Sequence, residues 1–182
     1  MKLVQMPTDL LHVEDDALSA VIEPGLLAEF RAYLHHAAED TRGVAILAPP
    51  AASTRDMLMV LARRIGATLR DENIRLRERG GDLKTGRRKL CYLPGSELAA
   101  ALDSSGCRRT LASEAACFVQ DVDGAWGDEQ NRRVPLTVSA LIGLLDTRLA
   151  GGLPTFLSAA PDQLPDGLER DLRARLLIIE PA

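Results

Sequence analysis

Five short, predominantly apolar runs decide what this chain can fold into. They are Val44–Ala48, Lys89–Leu93 (KLCYL), Ala116–Val119 (ACFV), Thr155–Ala159 (TFLSA) and Leu176–Ile179 (LLII). None alternates polar with apolar residues, so each reads as a strand buried on both faces. The segments between them carry apolar residues at helical spacing. Arg55–Ile65 places Met57, Leu58, Leu61 and Ile65 on one face. Residues 24–38 do the same with Leu26, Leu27, Phe30, Leu34 and Ala37, entered through Pro24. Leu136–Leu149 is a third such segment, and Gly151-Gly152 is the expected stop. Pro94-Gly95 turns into a helix starting at Ser96–Leu102, and Gly167–Ala174 is a short charged helix. The charged, glycine-containing stretch Glu72–Gly86 reads as a loop or an exposed helix end. Alternation of this kind predicts a three-layer α/β domain with a mainly parallel five-stranded sheet. The 182 residues fit one domain, 1–182, with 1–40 an acidic extension and helix and 41–182 the core.

Aromatic residues make up only 3% of the chain, so the core is expected to be Leu, Ala, Val and Ile. A net charge of −4 gives no global nucleic-acid signature. The charge is uneven: Glu14, Asp15, Asp16, Glu39 and Asp40 lie early, while residues 63–89 are rich in arginine. That basic stretch reads first as a solvated helix face and loop. Cys91, Cys107 and Cys117 are far apart and show no metal-ligand spacing, which predicts a reduced, cytoplasmic protein. No apolar run approaches membrane-spanning length. His35 and His36 are adjacent, so on a helix they point in different directions and form no ligand pair. No metal site is expected.

In a parallel sheet, ligands bind at the carboxyl ends of the strands. The loops to inspect are therefore Ala48–Thr54, Gln120–Gly124 and Ser158–Asp162. Gly43–Ile65 has the strand–loop–helix shape of a phosphate-binding loop. Such a loop needs glycines to wrap phosphate with backbone N–H groups, a lysine for the β/γ-phosphates and a Ser/Thr hydroxyl for magnesium. The glycine positions hold Ala48, Ala51 and Ser53, the lysine position holds Thr54 and the hydroxyl position holds Arg55. Pro49 and Pro50 have no N–H to offer. Ser53–Asp56 (STRD) is a capping-box-like pattern, which would satisfy the free N–H groups that otherwise hold an anion. The fold is kept and the phosphate chemistry is not.

The order of these pieces resembles the core of the AAA+ ATPases, nearest the replication-initiator group of DnaA and Hda. APPAASTR at 48–55 sits where that family has its Walker A loop. KLCYLPGSEL at 89–98 resembles its second strand and following helix start, and CFVQDVDGAWGDE at 117–129 its Walker B strand. TFLSAAPDQLP at 155–165 resembles the sensor-1 strand, and LERDLRARL at 168–176 the arginine-finger helix. The family's helical lid would follow the fifth strand, where this sequence ends.

The resemblance implies particular roles. Gln120 stands where the family's magnesium-binding Asp belongs, and Asp121 where its catalytic Glu or second Asp belongs. Sliding by one makes Asp121 the metal ligand and leaves Val122 as the base. Ser158 is the sensor-1 candidate, and Arg175 matches the finger, with Arg170 and Arg173 close by. Ser53, Thr54, Arg55 and Asp121 would line a vestigial nucleotide site. Arg170, Arg173 and Arg175 would face a protein partner, an AAA+ ATPase or replication factor, or a second copy of the chain. The expected function is regulatory and non-catalytic, with no cofactor and no catalytic residue. A weak or altered ATP/ADP-binding protein is the alternative. A DNA-associated accessory module using the 63–89 stretch is the third reading, direct nucleic-acid contact being the less favoured.

Overall fold

A computed structural model describes residues 24–37, 39–49, 54–82, 88–126 and 137–181. Its elements run α1 (Pro24–Leu34), β1 (Gly43–Leu47), α2 (Thr54–Glu78), β2 (Leu90–Pro94), α3 (Gly95–Asp103), α4 (Ser105–Ser113), β3 (Ala116–Gln120), α5 (Val138–Ala150), β4 (Thr155–Ala159), α6 (Leu168–Arg173) and β5 (Leu177–Ile179). The strands lie in the order β2-β3-β4-β1-β5, and every pairing is parallel.

Because side chains alternate along a strand, the sheet feeds two cores. Val44, Ile46, Phe118 and Phe156 face α1 and α2. Ala45, Leu47, Cys91, Leu93, Cys117, Val119 and Leu157 face α3, α4, α5 and α6. This is the three-layer arrangement the apolar runs predict. The aliphatic-core expectation needs one correction. Tyr92, Phe118 and Phe156 sit in register across β2, β3 and β4 and stack, with centroids 6.3 Å and 4.7 Å apart. Half of the chain's few aromatics thus form one ladder, worth about 0.5–1.5 kcal/mol per pair beyond burial.

Two other differences have local causes. Helix α2 continues past Ile65 to Glu78, because charged residues with good helix propensity prolong it after the apolar face stops. The charged stretch from Glu72 is therefore an exposed helix end as far as Glu78, one of the two readings its composition left open. Helix α4 escapes sequence reading because only Leu111 in it is buried, which leaves no apolar period to detect. At Gly43, φ is +95° and a Cβ would stand 1.9 Å from the Thr155 carbonyl oxygen, so only glycine lets β1 begin this close to β4.

The amino end of the sheet is held by an unusual group. Arg148, in the last turn of α5, is fully buried. Its Nε donates to Thr155 Oγ1 (2.8 Å), Nη1 to the Leu111 (2.5 Å) and Glu114 (3.0 Å) carbonyls, and Nη2 to the Pro154 carbonyl (2.8 Å). The Leu111 and Glu114 carbonyls belong to the end of α4, the negative pole of a helix dipole. The cation is stabilised by helix ends in place of a carboxylate. Removing it leaves several buried acceptors unpaired, each costing about 1–3 kcal/mol. Arg148→Ala is expected to lower the unfolding free energy by about 3 kcal/mol or more in urea titration. Arg148→Lys should recover less than half of that, since an ammonium lacks the planar fork these acceptors match.

Candidate functional site

The carboxyl ends of β1, β3 and β4 converge on Asp121. It follows β3 directly and adopts a left-handed backbone, φ 52° and ψ 63°, the one positive-φ non-glycine among the described residues. Its backbone N–H donates to Ser158 Oγ (2.8 Å), and Ser158 Oγ donates back to Asp121 Oδ1 (2.9 Å). Thr54 Oγ1, in the first turn of α2, donates more weakly to the same oxygen (3.4 Å). Gln120 Nε2 donates to Asp121 Oδ2 (2.8 Å), and Tyr92 Oη donates to Gln120 Oε1 (2.8 Å). Two residues on, Asp123 Oδ1 accepts the Ala160 N–H (3.0 Å) and ties the β3 exit to the β4 exit. Gly95 permits this turn: a Cβ there would stand 2.1 Å from the Asp121 carbonyl oxygen.

These contacts form a branched polar chain, Tyr92–Gln120–Asp121, with Ser158 and Thr54 both donating to Asp121 Oδ1. Both oxygens of Asp121 already accept from the protein, and Gln120 uses both ends of its amide. A carboxylate that serves a hard cation needs lone pairs aimed at the ion. Here three of its roughly four lone-pair sites meet two hydroxyls and an amide, the Thr54 contact being long at 3.4 Å. Among the described residues, no cluster of three or more His, Cys, Asp or Glu stands at metal-holding distance. Beside this point lies a cleft of about 380 Å³, lined by Leu47, Pro49, Pro161, Asp162, Glu180 and Pro181. Its two carboxylates and three prolines offer little to a phosphate.

Of the residues expected at a nucleotide site, Thr54 and Asp121 are brought together, and Arg55 stands exposed at the same helix start. Ser53, and with it the cap expected from Ser53, lies outside the described residues. Ser158, a weak signal in sequence, is central. Tyr92 and Gln120 were missed as a pair, since nothing in sequence tells that parallel register sets them side by side. Burial raises the Tyr92 hydroxyl to about 12, with the nearby Asp121 and Asp56 carboxylates adding to the shift and Arg55 opposing it.

The second expected site is the α6 edge. Arg175 is engaged within the chain: Nε and Nη2 donate to the two carboxylate oxygens of Asp146 on α5 (2.6 and 3.2 Å), and Nη1 to the Asp171 carbonyl (3.0 Å). The guanidinium holds the Asp146 carboxyl below its ordinary value. Arg173 pairs with Glu169 (2.8 Å) and with Glu180. Arg170 is exposed.

No family model matches the sequence, and no curated protein matches it. Solved structures do match in fold. The replication initiator DnaA bound to AMPPCP and single-stranded DNA aligns over 90% of this chain and 48% of its own, at TM-score 0.57 and 13% identity. Domain III of the Thermotoga maritima DnaA covers 89% of this chain and 64% of its own, at TM-score 0.57 and 14% identity. DnaI covers 97% and 95%, at TM-score 0.56 and 14% identity. The chain spans about half the length of the DnaA structures solved with AMPPCP. At such identities the likeness is one of fold, and the fold is that of an AAA+ core. Among the described residues, no helix is long and apolar enough to cross a membrane.

The Tyr92 shift has a measurable consequence. Tyr92 stays protonated in the folded state where an unfolded tyrosine ionises near 10, so its contribution to stability is complete below pH 10 and is lost as pH rises toward 12. Absorbance titration is expected to show no tyrosinate at pH 10 and a step near 12 that Tyr92→Phe removes. The other tyrosine, Tyr33, is shifted higher still by burial and its bond to Asp40.

Proposed function

We propose that this chain is a regulatory or binding protein on the AAA+ fold, working through protein contacts in DnaA-type replication assemblies and not by hydrolysing ATP. The observation that carries this reading is the set of internal hydrogen bonds on Asp121, which accepts from Gln120, Ser158 and, more weakly, Thr54, and so supports a carboxylate engaged within the protein. Gln120, a neutral amide, is a poor ligand for a hard cation. The fold likeness to DnaA and DnaI supports the assembly class. The protein-facing surface is the α6 edge, with Arg170 exposed and Arg173 and Arg175 held by carboxylates that fix their direction.

Calorimetry with ATP and ADP, with and without magnesium, tests the first half. The expected result is no binding tighter than about 10 μM, or about 7 kcal/mol. Magnesium-dependent binding below that value overturns the non-catalytic reading in favour of an altered nucleotide site. Co-purification with a DnaA-type ATPase tests the second half. Arg170→Ala and Arg175→Ala are expected to weaken binding or change the partner's ATPase rate; if neither moves, the α6 edge is not the docking face.

A further inference from the structure

Cys91 and Cys117 are register partners on the parallel neighbours β2 and β3. Both side chains enter the core between the sheet and α3–α6, and both are buried. Neighbouring strands lie about 4.7–4.9 Å apart, inside the span of about 4.4–6.8 Å between Cα atoms that a disulfide bridges. Side chains in register on one face leave their strands in the same direction, so the two sulfurs stand side by side. The Cys91 S–H lies between two acceptors, the Ala116 carbonyl (3.6 Å) and the Cys117 sulfur. Both residues are free thiols.

A buried cation stands beside the pair. The Pro154 carbonyl accepts both the Cys117 N–H (3.3 Å) and Arg148 Nη2 (2.8 Å). Thr155, in register with Cys117, accepts from Arg148 Nε. The hydrogen bond from Cys91 and the Arg148 cation, against the effect of burial, bring the Cys117 thiol below its ordinary value. Bonding to Cys117 and burial push the Cys91 thiol up. One sulfur is disposed to be the thiolate and its neighbour to keep its proton. An attacking and a resolving cysteine divide their roles in this way.

We propose that Cys91 and Cys117 are a redox modification site, closed to a disulfide by hydrogen peroxide. The Cys117 thiolate attacks one peroxide oxygen, the O–O bond breaks, and Cys117 becomes a sulfenic acid. The departing hydroxide takes up the proton released when Cys117 ionised. The Cys91 sulfur then attacks the Cys117 sulfur: the S–S bond forms, the S–O bond breaks, and the hydroxyl leaves with the Cys91 proton as water. Two thiols lose two electrons, and one peroxide becomes two waters. Strand β2 is at the edge of the sheet, paired with β3 alone, so its local opening admits an oxidant little larger than water. A disulfide holds its Cβ atoms about 3.5–4.5 Å apart, so closure draws the edge strand inward. The strain left in such a bond keeps it easy to reduce, which makes the modification reversible. The inference is independent of the nucleotide site and of the α6 edge.

The test is peptide mapping of the 182-residue chain after treatment with hydrogen peroxide, without reductant. Trypsin leaves Cys91 and Cys107 together in residues 90–108 and Cys117 in residues 110–132, and a second cleavage after Glu97 separates the first two. The expected product is a pair of peptides joined through Cys91 and Cys117, lighter by two hydrogens and parted by dithiothreitol. In urea, where loop length alone decides, the shorter Cys107–Cys117 closure is expected to lead. In Cys91→Ala no resolving thiol remains, and dimedone is expected to label Cys117; in Cys117→Ala it should leave Cys91 unlabelled. Circular dichroism confirms that the variants fold; should either not fold, the cross-link in the unsubstituted chain decides. No Cys91–Cys117 link in the folded chain, or one outnumbered by links to Cys107, overturns the proposal. A Cys91–Cys117 link that also leads in urea overturns it, as does dimedone on Cys91 with none on Cys117.

Discussion

Strand β4 is pinned at both ends by side chains, and the rest of the sheet depends on those pins. At its carboxyl end Ser158 both accepts from and donates to Asp121. At its amino end Thr155 accepts from the buried Arg148. Between them lies Phe156, the end of the aromatic ladder. Since β4 pairs with both β1 and β3, these two contacts fix the register through which the carboxyl-end residues meet. The left-handed backbone at Asp121 costs about 1–3 kcal/mol for a non-glycine residue. The bonds at Ser158, Thr54 and Gln120 offset that cost by holding the carboxylate in low-dielectric surroundings. Backbone strain of this kind persists only where its surroundings over-determine it.

The two pins use opposite charges in the same way. Arg148 is surrounded by carbonyls and a hydroxyl, and Asp121 by hydroxyls and an amide. Neither has a formal counter-ion in these bonds. An uncompensated buried charge is costly, so the fully buried Arg148 stands only because its donors are used, while the half-buried Asp121 keeps some contact with water. The nearby Arg175–Asp146 pair is different: it lies at the surface, where water screens it, and it orients side chains more than it stabilises the fold.

How much of this was legible in sequence follows from which interactions are local. The strands were legible because five uninterrupted apolar runs have no other stable place than a two-sided sheet. The carboxyl-end loops followed from that topology, and Asp121, Thr54 and Ser158 were in them. The Tyr92–Gln120 link was not legible, since it joins residues 28 apart through a register no local pattern encodes. Arg148 was hidden by its setting in an apolar helix, where an arginine reads as a surface residue. Its signal was there to find: Leu145, Leu144 and Leu141 lie three, four and seven residues before it, which puts Arg148 on the apolar face of the helix. Helix α2 was cut short because its second half is held by propensity and by Asn73, neither of which makes an apolar stripe.

Positive charge is unevenly distributed about the sheet among the described residues. A phosphate site concentrates cations and free N–H groups at the carboxyl end of the sheet. Here that end carries Asp121, Asp123, Asp162 and Glu180, and its exposed cation at the helix start, Arg55, stands next to Asp56. The arginines instead run along the outside of α2, toward its far end, and across the α6 edge. The helix that starts at the would-be phosphate loop carries the first group. Opposite ends of one helix thus lie in different surroundings: its first turn meets Asp121 through Thr54, and its last turns are fixed through Asn73 to the Arg88 backbone.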